Sequence, residues 1–131
     1  MKVVWVVAGA LITSDFKVLL SRRPAGKNLA GFWEFPGGKI ERDETPENAL
    51  CRELKEELNI IVEPDQLKPL TFASFDYEAF HLVMPLFLCR SWQGNPIGAE
   101  GQKIEFVPAE KVGLNSEAHP LAPADIDLAD C

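Results

Sequence analysis

The 131 residues are 47% hydrophobic and 25% charged, which is the size and composition of one globular domain. The apolar share argues against disorder. No stretch approaches the roughly 20 apolar residues of a membrane-spanning helix, so no membrane span is expected. Thirteen Lys and Arg against 20 Asp and Glu give a net charge of −7, which would repel a phosphate backbone and disfavours a nonspecific nucleic-acid binder.

The charge is unevenly distributed along the sequence. Residues 1–37 carry five basic and two acidic side chains, whereas residues 38–131 carry eight basic and eighteen acidic ones. An anionic ligand can still bind if the basic front faces it, or if a divalent cation bridges it to acidic side chains. The charge therefore excludes a nucleic-acid polymer as partner without excluding every anion.

The cysteines argue against disulfide and zinc frameworks. Cys51, Cys89 and Cys131 are far apart in sequence and form no C-x-x-C pair, and the chain has two histidines. We therefore expect a reduced, cytoplasmic protein in which residues 1–131 form one domain.

The first elements along the chain are predicted to be strands. The apolar run 3–12 is rich in β-branched residues and precedes a turn at 13–15, which favours a strand over a secretory segment. The apolar segment 18–20 should return as its hairpin partner. Residues 22–31 read as a turn-rich basic loop, and residues 32–35 as a short strand.

Two adjacent glycines follow that strand. Pro36, Gly37 and Gly38 are predicted to end it. Because glycine tolerates conformations that other residues resist, we expect another group to come close to the backbone here.

The strongest helix prediction begins after Thr45. Thr45 is a suitable N-cap, Pro46 suits the first helical position, and the helix should run to about Leu58. Asn59 fits a left-handed C-terminal stop. Apolar residues at helical spacing mark the side that should be buried: Ala49, Leu50, Leu54 and Leu58.

The remaining chain alternates strands with short helical segments. Strands are predicted over 67–76, 79–92 and 103–107, a helical turn over 109–112, and a short final helix within 121–128. Because strands outnumber helices and mostly come as hairpins around one strong helix, we predict an α+β fold with helices packed on a mixed sheet.

The predicted helix carries an acidic cluster. Glu53, Glu56 and Glu57 are three and four residues apart, so their carboxylates should converge on one side. Carboxylates without His or Cys select hard cations, and Mg²⁺ is commonly held by one or two carboxylates and substrate phosphates. Mg²⁺ or Mn²⁺ is therefore the expected metal. The alternative is that these glutamates bind no metal, lie on a solvated face of the helix and form ion pairs with Arg52 or Lys55.

The spacing around this cluster matches a known pattern. From Gly38, five residues lead to Glu44 and seven more to the run Arg-Glu-Leu-Lys-Glu-Glu-Leu-Asn-Ile, which ends at Ile60. Residues 38–60 resemble the Nudix box, in which Asn59 replaces the usual final Gly. Since Asn can also adopt the left-handed conformation, the departure is mild.

The resemblance to the MutT-like group of Nudix hydrolases extends over nearly the whole chain. It includes Arg22-Arg23, the segments 33–39 and 98–102, and Pro123-Ala124-Asp125. It implies the Nudix fold, an α/β/α sandwich with a mixed central sheet and a glutamate-bearing catalytic helix. It also implies Mg²⁺-dependent hydrolysis of a nucleoside triphosphate to the monophosphate and pyrophosphate by attack of water on phosphorus.

The resemblance further implies individual roles. Glu53 would act as general base, Arg52 would orient Glu53, and Glu44 would support the metal site. Glu100 matches a distant acidic residue that joins the metal or deprotonates water, although it could be an ordinary loop carboxylate. The implied metal ligands are the carbonyl of Gly37 and the carboxylates of Glu53, Glu56, Glu57 and Glu100.

The basic front would then contact phosphate. Arg23 suits bidentate phosphate contacts and Lys39 offers a point charge, and Asn28 is a further candidate substrate contact. Arg22 and Lys27 are expected to face solvent.

The residue that reads the base is predicted at Asp125, where MutT-like proteins place Asn or Asp. An ionised carboxylate accepts hydrogen bonds, so it could accept both N–H groups of a guanine edge, whereas cytosine offers one donor beside an acceptor. Phe35 and Phe80, with Trp33, could form walls of the base pocket or belong to the core. The hypothesis is an enzyme that removes 8-oxo-dGTP.

Three alternatives remain open at the level of sequence. Residues 120–125 also resemble relatives that hydrolyse CTP and modified dCTP, and a protonated Asp125 would supply the donor that cytosine needs. Nucleotide-sugar and ADP-ribose hydrolases tend to carry a Pro where Phe75 and Asp76 stand. A non-catalytic nucleotide sensor often lacks a box glutamate, and none is missing here. A monomer or small homo-oligomer is expected.

Overall fold

The computed structural model describes residues 1–26, 30–113, 119 and 121. Asn28, Asp125 and residues 122–128 of the predicted final helix lie outside this part. The described residues form seven strands, one α-helix and two short 3₁₀ turns. In chain order these are β1 (Val3–Leu11), β2 (Lys17–Arg22), β3 (Trp33–Glu34), β4 (Gly37–Lys39), α1 (Pro46–Leu58), a 3₁₀ turn (Pro64–Gln66), β5 (Leu67–Asp76), β6 (His81–Cys89), β7 (Ile104–Pro108) and a 3₁₀ turn (Ala109–Lys111).

The strands form two sheets. The first has the order β4-β1-β6-β5, in which β1 runs parallel to β6 and antiparallel to β4, so it is mixed as predicted. The second has the order β3-β2-β7 and is antiparallel. The α+β prediction is confirmed. The described residues contain one α-helical layer of the expected sandwich.

The predicted hairpin between the first two strands is wrong. Both edges of β1 are occupied, by β4 and by β6. β1 and β2 meet at their connecting turn, where Ile12 bridges Val18 and the N–H of Thr13 donates to the Lys17 carbonyl at 2.9 Å. The chain turns at Phe16, whose φ is 59°, and β2 enters the second sheet. The end of β2 that carries Arg22 therefore pairs with β3.

The glycine segment ends β3 as predicted and then forms a strand of its own. β3 ends at Glu34, and residues 37–39 form β4, which pairs with β1 in the register Val7↔Gly38. The expected close approach is confirmed, because a Cβ at Gly37 would overlap the carbonyl oxygen of Val7.

Helix α1 follows its local signals. The Thr45 hydroxyl accepts a hydrogen bond from the Asn48 N–H at 3.1 Å, which satisfies a free donor of the first turn. Asn59 ends the helix in the left-handed conformation, with φ 55° and ψ 40°. Both caps were predicted.

The apolar side of α1 packs on one face of the first sheet. Val7 and Leu11 of β1 point toward the helix, whereas Ala8 and Ala10 point to a second core on the opposite face. Successive side chains of a strand point to opposite faces of the sheet. Both faces of β1 are buried, so both sets of its side chains are apolar here. The four residues predicted to be buried on the helix are fully buried: Ala49, Leu50, Leu54 and Leu58.

No helix in the described ranges has the length and apolar content to cross a bilayer.

Candidate active site

A cavity of about 540 Å³ collects most of the predicted site residues. We call it the acidic cavity. It lies between β1, the end of β2, the β3–β4 segment, the polar side of α1 and the loop that follows β6. Its lining contains seven of the predicted residues: Arg23, Phe35, Gly37, Lys39, Glu53, Glu57 and Glu100.

The glycines of β4 allow Glu53 to lie against the sheet. A Cβ at Gly38 would overlap the carboxylate of Glu53. The absence of a side chain at Gly38 therefore gives this carboxylate room between α1 and β4, and the Glu53 side chain is only 16% exposed.

Glu57 lies one turn further along α1 and is less favourably surrounded than Glu53. Its Oε2 is buried and has no hydrogen-bond partner among the described residues. Burial, and then the negative charges of Glu53, Glu34 and Glu100, raise the pKa of Glu57 to about 9. Nearby acidic groups in low-dielectric surroundings disfavour a further negative charge, so this oxygen is placed where a positive ion would be stabilising.

Arg52 joins the carboxylates on the outer side of this group. Its guanidinium donates to Glu44 at 2.7 and 2.9 Å, to Glu53 at 2.9 Å and to the carbonyl oxygen of Lys39 at 3.1 Å. The hydrogen bond from Arg52 lowers the pKa of Glu44 to about 2. Arg52 thereby ties α1 to the loop before it and to β4, and fixes one oxygen of Glu53.

Glu56 is placed differently from its two neighbours. Its side chain is 51% exposed, accepts a hydrogen bond from Arg52 at 3.4 Å and does not line the acidic cavity.

The loop that carries Glu100 is docked on the end of α1. The N–H of Ile97 donates to the Leu58 carbonyl at 3.1 Å, and the N–H of Ala99 donates to the Glu57 carbonyl at 2.9 Å. Gln102 donates to the same Glu57 carbonyl at 2.8 Å. These bonds satisfy carbonyls that a helix end leaves free, and they hold the loop that brings Glu100 into the wall of the acidic cavity.

Sequence reasoning missed Glu34. Its carboxylate accepts from Arg23 at 3.0 and 3.3 Å inside the acidic cavity, and both side chains are about 30% exposed. Burial raises the pKa of Glu34, and Arg23 opposes that rise. The available signal was a charged residue between Trp33 and Phe35 in a strand, where an apolar side chain is usual. Gln102, another lining residue, was missed as well.

The aromatic candidates are divided between the cavity and the core. Phe35 is buried and lines the cavity. Trp33 is buried and meets the ring of His119 at 4.8 Å. Phe80 stacks on Tyr77 at 5.0 Å near the turn between β5 and β6 and does not line the cavity.

The donor set suits a hard divalent cation. Within the described residues, no three Asp, Glu, His or Cys side chains are already gathered in a metal-binding arrangement, and Arg52 bonds both Glu53 and Glu56. The acidic cavity nevertheless offers carboxylates of Glu53, Glu57 and Glu100 and the buried unpaired oxygen of Glu57. All are oxygen donors, which fits Mg²⁺ or Mn²⁺ and not a soft metal.

Comparison with protein families agrees with this geometry. Residues 4–128 match the family model described as the NUDIX domain. The chain belongs to the Nudix family. Nudix hydrolases generally use a divalent metal ion.

Individual Nudix relatives match over almost the whole chain. An 8-oxo-dGTP diphosphatase of Escherichia coli is 35% identical over 93% of this chain and 92% of its own. A CTP pyrophosphohydrolase of the same species is 38% identical over 99% of this chain and 91% of its own. The crystal structure of a MutT Nudix hydrolase from Burkholderia pseudomallei superposes with a TM-score of 0.85, at 26% identity, covering 99% and 98% of the two chains.

Proposed function

We propose that this Nudix protein hydrolyses nucleoside triphosphates to the monophosphate and pyrophosphate with Mg²⁺, and that 8-oxo-dGTP is its preferred substrate. The observation that carries the proposal is the meeting of opposite charges in one cavity: the carboxylates of Glu53 and Glu57 face the same space as Arg23 and Lys39. A triphosphate brought in with a divalent cation complements both sets.

The proposed cation ligands are oxygen atoms from three elements of the fold. These are the carboxylates of Glu53, Glu56, Glu57 and Glu100 and the carbonyl of Gly37. Glu56 is turned toward Arg52, so its participation requires a side-chain rotation. A divalent cation held there would neutralise phosphate charge and lower the pKa of bound water.

The chain's own groups would bind and orient the substrate and accept the proton. Arg23 and Lys39 would hold phosphate oxygens. Glu53 would accept the proton of the attacking water as general base, and Arg52, which already bonds one of its oxygens at 2.9 Å, would keep its carboxylate oriented. Glu44 would hold Arg52 in place, and Glu100 is a second candidate for the base.

The preference for 8-oxo-dGTP is supported by the similarity to relatives that carry that name. Asp125, Asn28, Phe35 and Phe80 remain the proposed contacts of the nucleoside, since the carboxylate of Asp125 could accept from the purine edge. Hydrolysis of CTP or modified dCTP is the second candidate, because a relative named CTP pyrophosphohydrolase matches 99% of this chain.

We further propose that residues 1–131 act as one domain in the cytoplasm, as a monomer or small homo-oligomer that does not bind nucleic-acid polymers. The net charge of −7 supports the last point, and the free thiols of Cys51 and Cys89 are compatible with a reducing compartment.

The decisive experiment is a substrate panel. kcat/KM should be measured for 8-oxo-dGTP, dGTP, CTP, 5-methyl-dCTP and ADP-ribose, with and without Mg²⁺, and pyrophosphate should be assayed separately from phosphate. We expect Mg²⁺-dependent pyrophosphate release, fastest from 8-oxo-dGTP. A higher kcat/KM for CTP would favour the second candidate, and turnover of ADP-ribose alone would overturn both.

A further inference from the structure

A second cavity, of about 420 Å³, adjoins the acidic cavity, and all the charged residues in its described lining are basic. We call it the basic pocket. Its described lining contains neither Asp nor Glu and no aromatic side chain. The polar members of that lining are Arg22, Arg23, Gln102 and Lys103.

The two cavities share part of their walls. Arg22, Arg23, Pro24 and Gln102 line both of them, whereas Lys103 lines the basic pocket alone. A ligand held among the carboxylates could therefore extend past Arg23 and Gln102 into the basic pocket. An extended anion with a cation at one end would meet matching charge along its whole length.

Main-chain hydrogen bonds hold the walls of the basic pocket together. The N–H of Arg22 donates to the Lys103 carbonyl at 2.9 Å, which fixes β2 beside the chain entering β7. The N–H of Gly31 donates to the Arg23 carbonyl at 3.1 Å. Gly31 has φ 88°, and a Cβ there would lie 3.8 Å from a guanidinium nitrogen of Arg22. These bonds hold in place the main chain that carries Arg22, Arg23 and Lys103.

The composition of the basic pocket selects phosphate rather than a nucleoside. No ion pair involving Arg22 or Lys103 occurs among the described residues, so a ligand need not displace a carboxylate from them. Arg offers a planar pair of donors and Lys a compact charge, both suited to phosphate oxygens. A base would find no aromatic surface to stack on here.

We propose that the basic pocket binds the distal phosphates of the nucleotide and retains inorganic pyrophosphate after hydrolysis. This inference rests on the proposed function. Hydrolysis adds one water across the phosphoanhydride bond: the hydroxyl joins one phosphorus, the bridging oxygen remains on the other, and no co-reactant is required. The charge of the pocket then favours triphosphates over diphosphates and monophosphates, and makes pyrophosphate an inhibitor that competes with the substrate.

Direct binding of inorganic pyrophosphate tests the proposal without turnover. Calorimetric titration of the full chain in Mg²⁺ should compare the unaltered protein with Lys103→Met, Lys103→Arg and Lys68→Met. Lys68 is exposed on β5 in the other sheet, so its variant controls for net charge. Loss of one charge-assisted contact should weaken pyrophosphate binding about tenfold in Lys103→Met, and leave Lys103→Arg and Lys68→Met near the unaltered protein.

The outcomes separate this inference from the proposed function. An unchanged dissociation constant in Lys103→Met, or an equal loss in Lys68→Met, would overturn the pyrophosphate site even if triphosphates are hydrolysed. Selective weakening in Lys103→Met in a chain that hydrolyses no triphosphate would retain the pyrophosphate site and reject the proposed function.

Discussion

Helix α1 carries two adjoining rows of side chains that obey opposite rules. One row, the apolar side, holds Leu50 and Leu54, which are fully buried against the first sheet. The other row, the acidic side, holds Glu53 and Glu57, which lie in a cavity with further carboxylates. Burial of the apolar side stabilises the fold. Burial of the acidic side destabilises it, which is common where side chains serve function.

The acidic side is itself divided between two kinds of carboxylate. Glu53 is bonded to Arg52, which also joins Glu44 and the Lys39 carbonyl. Glu57 has no such neighbour for its buried oxygen among the described residues. Glu53 is therefore held in one orientation by Arg52, whereas a positive charge beside Glu57 would stabilise its buried oxygen. Substitutions on the two sides of α1 should have separate effects on kcat and on the free energy of unfolding.

The largest effect is expected at the oriented carboxylate. Glu53→Gln should preserve the fold but lower kcat for Mg²⁺-dependent pyrophosphate release by roughly 10²–10⁴-fold, the usual contribution of a general base. Glu47→Gln, in the first turn of the same helix, is the matched control and should remain near the unaltered protein. Equal kcat in the Glu53 variant and this control would show that Glu53 is neither base nor ligand.

The next effect is on stability and belongs to the apolar side. Leu54→Ala should lower the free energy of unfolding by about 2–5 kcal/mol, because it leaves a cavity under the helix. Leu54→Met, which nearly conserves volume, should cost less than about 1.5 kcal/mol. Urea unfolding followed by circular dichroism measures both. A Leu54→Ala protein that keeps its stability but loses kcat would contradict the division of α1 into a stabilising and a functional side.

A smaller effect of opposite sign is expected at Glu57. Its replacement by Gln removes a carboxylate from beside Glu53 and supplies an amide donor, so Glu57→Gln should raise the free energy of unfolding in chelator by about 1 kcal/mol. Mg²⁺ at a hundred times its dissociation constant should stabilise the unaltered protein by about 2.7 kcal/mol and the variant by much less.

The exposed Glu56 provides the control for that experiment. Glu56→Gln should bring no gain in chelator, since its carboxylate is half exposed and bonded to Arg52. A gain in stability equal to that of Glu57→Gln would mean that burial is not the cause.

The sequence predicted best what short-range interactions decide. The predicted bounds of helix α1 were correct because Thr45, Pro46 and Asn59 begin and end the helix through interactions within one turn of it. The convergence of Glu53 and Glu57 followed from helix periodicity in the same way. The predicted partner of the first strand was wrong because β4 and β6, distant in sequence, occupy both edges of β1, and local pattern carries no information about that competition.

Glu34 shows the same limit within the site. Its charge between two aromatic residues was a signal in the sequence, but that signal does not identify its partner, Arg23, which follows the end of β2 across the β2–β3 pairing. The fold also separated Phe80 from the acidic cavity, although both Phe80 and Phe35 are aromatic strand-end residues in sequence. Which of the two aromatic side chains lines the acidic cavity depends on tertiary packing.

The smallest effect is predicted at Asn59, where both sides of α1 end. Asn59→Ala should lower the free energy of unfolding by about 1 kcal/mol, because alanine is strained at φ 55°, and because the 3.0 Å bond from Lys55 is lost. Asn59→Gly should stay within about 0.5 kcal/mol, since relief of strain offsets the lost contact and the added freedom of the unfolded chain. Thermal unfolding in chelator and in Mg²⁺ measures both. The adjacent carbonyls of Glu57 and Leu58 accept hydrogen bonds from the Glu100 loop. A shifted helix end in Asn59→Ala should therefore also weaken stabilisation by Mg²⁺. If this helix end serves only apolar packing, the stabilisation by Mg²⁺ will be unchanged in Asn59→Ala.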